Sequence, residues 1–181
     1  MRLIYFHGFA SGPNGSKVDI LRRAGFTVSA PDIDIDPDIA EPYLIEFIRQ
    51  EEIKYNSIDK RCTFIGTSLG GFWAARMGEL FEDAAVLINP AMHPEVSLRK
   101  FIGPYTNYST GEQKMLTAEI VDKYASYPSA GSDRYRRYFI AEHDTKLDPL
   151  PTNEGKVFTY ASADHRGMTF FGDVVEYLKT K

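Results

Sequence analysis

Short apolar runs alternate with longer amphipathic stretches along the whole chain. Leu3-Ile4-Tyr5-Phe6 is the first run, and it stops at His7-Gly8. Residues 26–30, 62–65, 84–88, 138–141 and 157–160 have the same character. The 84–88 run is apolar throughout, as a strand buried on both faces requires. Between the runs, residues 16–25 read as a helix, with Ser16 and Asp19 resembling a capping box and Gly25 closing it. A second helix starts between Asp38 and Pro42, a proline being tolerated in a first turn, and continues through Leu44, Phe47 and Ile48 towards Tyr55. Residues 72–77 open a third helix. Phe170, Phe171, Val174, Val175 and Leu178 give a terminal helix its apolar stripe. Strands alternating with helices predict an α/β protein, a mostly parallel sheet of about six strands with helices on both faces.

The pattern breaks once, over residues 89–137. This stretch is rich in Pro, Gly, Ser and Tyr, and its clearest helical segment is 115–124. It reads as a helical insertion above the sheet that shapes a substrate entrance. With no repeat and no low-complexity linker, residues 1–181 are expected to form one domain.

Composition narrows the classes further. Hydrophobic content of 43% with 25% charged residues is ordinary for a globular chain of 181 residues. A formal net charge of −4 argues against a general nucleic-acid binder. The single cysteine, Cys62, lies in an apolar run where packing is expected rather than reactivity. No apolar run reaches the length of a membrane span, and a strand at residues 3–6 leaves no room for a preceding signal peptide, so a cytoplasmic protein is expected. Asp32, Asp34, Asp36 and Asp38 alternate like the start of a calcium loop. Pro37 and Tyr43 stand where that loop needs Gly and Glu, so a solvated loop is the better reading. Gly12 to Lys17 lacks the spacing of a phosphate loop, and no Cys/His spacing suggests zinc; no cofactor or metal is expected.

The chemistry centres on Gly66-Thr67-Ser68-Leu69-Gly70, a G-x-S-x-G sequence between an apolar strand and a helix start. That context describes a sharp turn lifting the Ser68 hydroxyl clear of the backbone as a nucleophile. Such a serine needs a base, and the base an orienting acid. In sheets of this kind working groups sit at the carboxyl ends of strands, in the chain order Ser, Asp or Glu, His. Ser68, Asp144 and His165 satisfy both rules, with Asp148 as the competing acid. Asp164 reads as a solvated surface residue, His143 as part of the turn carrying Asp144, and His93 as a polar surface residue. Backbone N–H groups of Leu69 and Phe9, with Ala10 as the alternative to Phe9, are expected to form the oxyanion hole. His7 is expected to tie down its loop.

His7-Gly8-Phe9, the serine turn, Asn89-Pro90-Ala91, Tyr108-Ser109-Thr110-Gly111-Glu112, the loop at 144–148 and His165 together resemble the small lidless α/β-hydrolases of the YqiA/YcfP-like esterase family. The likeness runs over nearly the whole chain. It implies the α/β-hydrolase fold, Ser68 as nucleophile, Asp144 as acid, His165 as base, and activity on short acyl esters. Phe72 stands where the family usually has Tyr, and Ala163-Asp164-His165-Arg166 replaces a glycine-rich approach to the histidine. The expectation is a serine hydrolase of small acyl esters or thioesters, with Phe72, Trp73 and Met92 in the acyl pocket. An amidase or peptidase with the same triad, and a silent hydrolase-fold binding protein, are the alternatives.

Overall fold

The computed structural model describes residues 1–55, 62–128, 136–145 and 156–181. Its strands are β1 (Arg2–Phe6), β2 (Thr27–Ser29), β3 (Thr63–Thr67), β4 (Ala85–Ile88), β5 (Gly103–Thr106), β6 (Gln113–Leu116), β7 (Arg136–Ala141) and β8 (Lys156–Tyr160). Six of them form one parallel sheet in the order β2-β1-β3-β4-β7-β8, and β5 pairs antiparallel with β6. The helices are α1 (Ser16–Arg23), α2 (Pro37–Tyr55), α3 (Leu69–Leu80), α4 (Pro94–Ser97), α5 (Ala118–Lys123) and α6 (Phe171–Lys179).

Side chains alternate across the sheet, as the two-residue period of a strand dictates. Leu3 and Tyr5 join Val18 and Leu21 of α1 and Phe171, Val174 and Leu178 of α6 in one buried cluster. Ile4 and Phe6 point the other way, into a cluster with Leu44 and Ile48 of α2, Phe72 and Trp73 of α3, and Leu116 and Val121 of the insertion. The two layers cover both faces, which is why parallel strands this apolar are stable in water.

Register brings the strand ends together. Phe6 pairs with Gly66, Thr67 with Ile88, Ile88 with Phe139 and Ala141 with Tyr160. The loops after β1, β3, β4, β7 and β8 therefore leave one edge of the sheet side by side.

Three local expectations are corrected. α1 is capped by Gly15 with no side-chain cap, so Ser16 is the first helical residue and not the cap. α2 begins at Pro37, which places Pro42 inside the helix. Residues 115–124 are not one helix: Met115 and Leu116 end β6, and Thr117 starts α5 by accepting the Ile120 N–H on its Oγ1 at 3.2 Å. The β5–β6 hairpin turns through Asn107, whose Oδ1 accepts the N–H groups of Ser109 and Thr110 at 2.8 and 3.1 Å.

Candidate active site

Ser68 follows β3 directly and has φ +56° and ψ −122°, a left-handed conformation that a side chain adopts only under strain. The turn closes because its flanks lack side chains. A Cβ on Gly66 would lie 1.8 Å from Gly70 O, and one on Gly70 would lie 2.0 Å from Phe6 O. No ordinary contact is that close, so these two glycines are sterically required. The Ser68 N–H donates to Ile88 O at 3.0 Å, and Ser68 O accepts the Gly71 N–H at 2.8 Å. The hydroxyl is left to face the loops after β7 and β8.

His165 meets it there. Its Nε2 lies 2.9 Å from Ser68 Oγ, and its Nδ1 lies 2.5 Å from Asp144 Oδ2. These partners fix the neutral tautomer: Nδ1–H donates to the carboxylate, and Nε2 accepts the serine proton. The Asp144 side chain is only 2% exposed and that of His165 22%. The carboxylate is thus largely shielded, while the imidazole keeps access to solvent. Residues 68, 144 and 165 are brought together as the order along the chain suggests; Asp148 lies outside the described residues. His143 is exposed in the turn before Asp144, and exposed His93 faces Glu95 at 3.3 Å.

Asp164 was expected to be solvated but organises the His165 loop. Its carboxylate accepts the N–H groups of Arg166, Met168 and Thr169 at 3.1, 2.8 and 3.1 Å. Partial burial raises its pKa, but those three bonds and nearby Arg166 outweigh it and hold the carboxyl below its usual value.

The loop after β1 borders the serine: a Cβ on Gly8 would lie 3.5 Å from Ser68 Cβ. Phe9 and Ala10 continue this loop, and Leu69 opens α3, where a first-turn N–H has no intrahelical acceptor. The insertion holds the loop down. Tyr108 N–H donates to Ala10 O at 2.8 Å and Asn107 Nδ2 to Ser11 O at 3.0 Å, while the Phe9 ring packs on Tyr105 and Phe101.

His7 is buried beneath. Nδ1–H donates to Gly8 O and Nε2 accepts the Ile33 N–H, both at 3.0 Å, so the ring is neutral and ties two loops together. Burial holds its pKa below the ordinary imidazole value against the pull of Gly8 O and Asp32. The unfolded chain then binds the extra proton more readily, so stability is unaffected above about pH 6.5 and falls as pH drops below it. Urea unfolding from about pH 7.5 to about 5 should show that loss, and a smaller one in His7→Gln. Equal slopes would contradict it.

A cavity of about 50 Å³ opens between these loops. Phe9, Leu69, Trp73 and Tyr105 give it an apolar wall, and Asp32, Asp34, Asn107 and Lys114 a polar one. Trp73 is fully buried in the core and also borders this cavity. Phe72 and Met92 are not among the lining residues: Phe72 packs edge-on against Trp73 and Tyr124, and both residues are buried in the core. The lining residues at 32–35 escaped the sequence reading, whereas Tyr105, Asn107 and Lys114 belong to the 89–137 segment expected at the entrance, though not named there individually. The Asn-Tyr-Ser-Thr-Gly turn at 107–111 was the available signal. Elsewhere, the acidic residues near α2 make contacts within the chain: Asp36 and Asp38 pair with Lys123 at 2.6 and 3.0 Å. Cys62 is buried against Asp83, where burial first and the carboxylate second push its thiol pKa up. Among the described residues no helix is long and apolar enough to cross a membrane, and no cluster of His, Cys, Asp or Glu is arranged to hold a metal.

A six-stranded parallel sheet with a strained serine turn between β3 and α3 is the α/β-hydrolase fold. The same fold is found in an α/β-superfamily hydrolase structure from Xanthomonas campestris pv. campestris, at a TM-score of 0.57, 18% identity and 99% coverage of both chains. A soluble variant of monoglyceride lipase from Saccharomyces cerevisiae, solved with a substrate analog, matches at a TM-score of 0.65 and 15% identity, over 99% of this chain and 86% of that one. Within this class, residues 2–154 match the family described as "Uncharacterised protein family (UPF0227)", and the chain belongs to that family. A UPF0227 protein of Shewanella loihica is 32% identical over 103 residues, 51% of this chain; the match spans about half, 52%, of that relative's length. The UPF0227 protein YcfP of Salmonella gallinarum is 25% identical over 155 residues, 81% of this chain and 77% of the relative.

Proposed function

We propose that this protein is a cofactor-independent serine hydrolase cleaving carboxylic esters or thioesters of small acyl groups through an acyl-enzyme. The observation carrying this reading is the unbroken hydrogen-bonded row Ser68 Oγ, His165 Nε2, His165 Nδ1, Asp144 Oδ2. Ser68 Oγ attacks the acyl carbon as His165 Nε2 takes its proton, and Asp144 stabilises the resulting imidazolium. The oxyanion is received by the N–H groups of Leu69 and of Phe9 or Ala10. Collapse returns the proton from Nε2 to the departing alcohol or thiol. Water, deprotonated by the same nitrogen, then attacks the acyl carbon and releases Ser68.

The 50 Å³ cavity supports the limit on acyl size. A short acyl group such as acetyl or propionyl would lie against Phe9 and Trp73, beside Leu69 at the start of α3. p-Nitrophenyl acetate is expected to turn over at least about 10-fold better in kcat/KM than the octanoate, with Ser68→Ala inactive on both. A preference for octanoate would remove the cavity from the acyl site. Absence of turnover across acyl lengths would favour a binding protein on a hydrolase fold.

A further inference from the structure

Asn89 directly follows β4, with φ +42° and no exposed surface. Its Nδ2 donates to Asp164 O at 2.9 Å and His165 O at 3.0 Å, and its Oδ1 accepts the Ala141 N–H at 2.7 Å. The amide orientation is fixed by these partners, since a flip would set oxygen against two carbonyls and the amide NH₂ against an N–H. Its own N–H donates to Phe139 O at 3.0 Å, within β7. The chain on either side grips the serine turn: Ile88 O accepts the Ser68 N–H at 3.0 Å, and Ala91 N–H donates to Ser68 O at 2.9 Å. Pro90 fills the space a Cβ on Gly71 would need, 2.6 Å from its own Cβ. One buried side chain therefore contacts the backbone bearing His165 and the strand end that leads, three residues on, to Asp144. Its neighbours in sequence hold Ser68.

We propose that Asn89 is a positioning residue that holds the segments carrying Ser68, Asp144 and His165 in mutual register, acting through His165 and Asp144 and not on substrate. The proposal rests on the reading of these three as a catalytic triad. The clamp consists of three hydrogen bonds to backbone groups 52, 75 and 76 residues away. Because the Asn89 side chain has no exposed surface, water cannot replace these bonds without opening the loop. Small misplacement of reacting groups costs rate steeply, and it costs binding little.

Two variants separate this role from a plain need for a left-handed residue. Asn89→Gly keeps positive φ without steric cost and removes all three side-chain bonds. Asn89→Asp keeps the shape and the acceptor for Ala141 N–H while setting carboxylate oxygen against the carbonyls of residues 164 and 165. Both are expected to lower kcat on p-nitrophenyl acetate by about 10²-fold with KM changed less than about 3-fold. Both should also lose the low-field proton resonance of His165 Nδ1–H that its bond to Asp144 produces in the wild type. If Asn89→Gly folds, retains that resonance and keeps kcat within a few-fold, the clamp is refuted and only the backbone conformation matters. A wild-type protein that neither turns over esters nor acylates at Ser68 removes the hydrolase reading instead. The resonance comparison then still decides the clamp.

Discussion

Asp144→Asn is expected to lower kcat by up to about 10⁴-fold while the protein folds as before. The cause is the tautomer. With a carboxylate at 2.5 Å from Nδ1, the His165 proton sits on that nitrogen and Nε2 is free to accept from Ser68. An amide there can turn its NH₂ towards the ring, which moves the ring proton to Nε2 and leaves the base unable to accept. The loss should fall on kcat and kcat/KM together, because the bond that is lost strengthens as the imidazolium forms. Asp148→Asn is the control and should remain within a few-fold of wild type. The reverse pattern, a crippled Asp148→Asn and an active Asp144→Asn, would assign the acid wrongly. Steady-state kinetics on p-nitrophenyl acetate reads both.

Ser68→Gly should abolish turnover and at the same time make the protein more stable. At φ +56° and ψ −122° the Ser68 Cβ is held in a conformation costing about 1–3 kcal/mol. Glycine releases that strain, and its greater freedom in the unfolded chain takes back roughly 0.5–1 kcal/mol. A net gain of about 1 kcal/mol would raise Tm by about 2–4 °C in a chain of this size. Ser68→Ala removes the hydroxyl but keeps the Cβ, so it should be equally inactive with little change in Tm. Calorimetry on the two variants tests this: equal Tm values would mean that the turn stores no releasable strain.

The parts of this molecule legible in the sequence are those whose requirements are local. The serine turn demands glycine at 66 and 70 because backbone atoms crowd those positions, and that demand is written as a spacing. Asp144 and His165 were reachable because working groups collect at strand ends in a fixed order. The β5–β6 hairpin was not legible. Its strands have four residues each, most of them exposed or half-buried, so no apolar alternation marks them. The same shortage misplaced the helix: Leu116 and Val121 are both buried, but one ends a strand and the other sits in α5. Asp164 was misread because its partners are backbone N–H groups of the next five residues, which composition does not reveal. Asn89 stood out only within a family resemblance. Its contacts at residues 141, 164 and 165 exist only once β4 lies beside β7.

The central claim is that folding activates the hydroxyl of Ser68 through His165. Reaction with a fluorophosphonate probe followed by peptide mapping tests it most directly, because the probe reacts only with a serine whose proton can be withdrawn. The wild type should carry one adduct, on Ser68, and His165→Ala should carry little or none while remaining folded. A folded wild type without an adduct, or an adduct that persists undiminished in His165→Ala, would contradict the account.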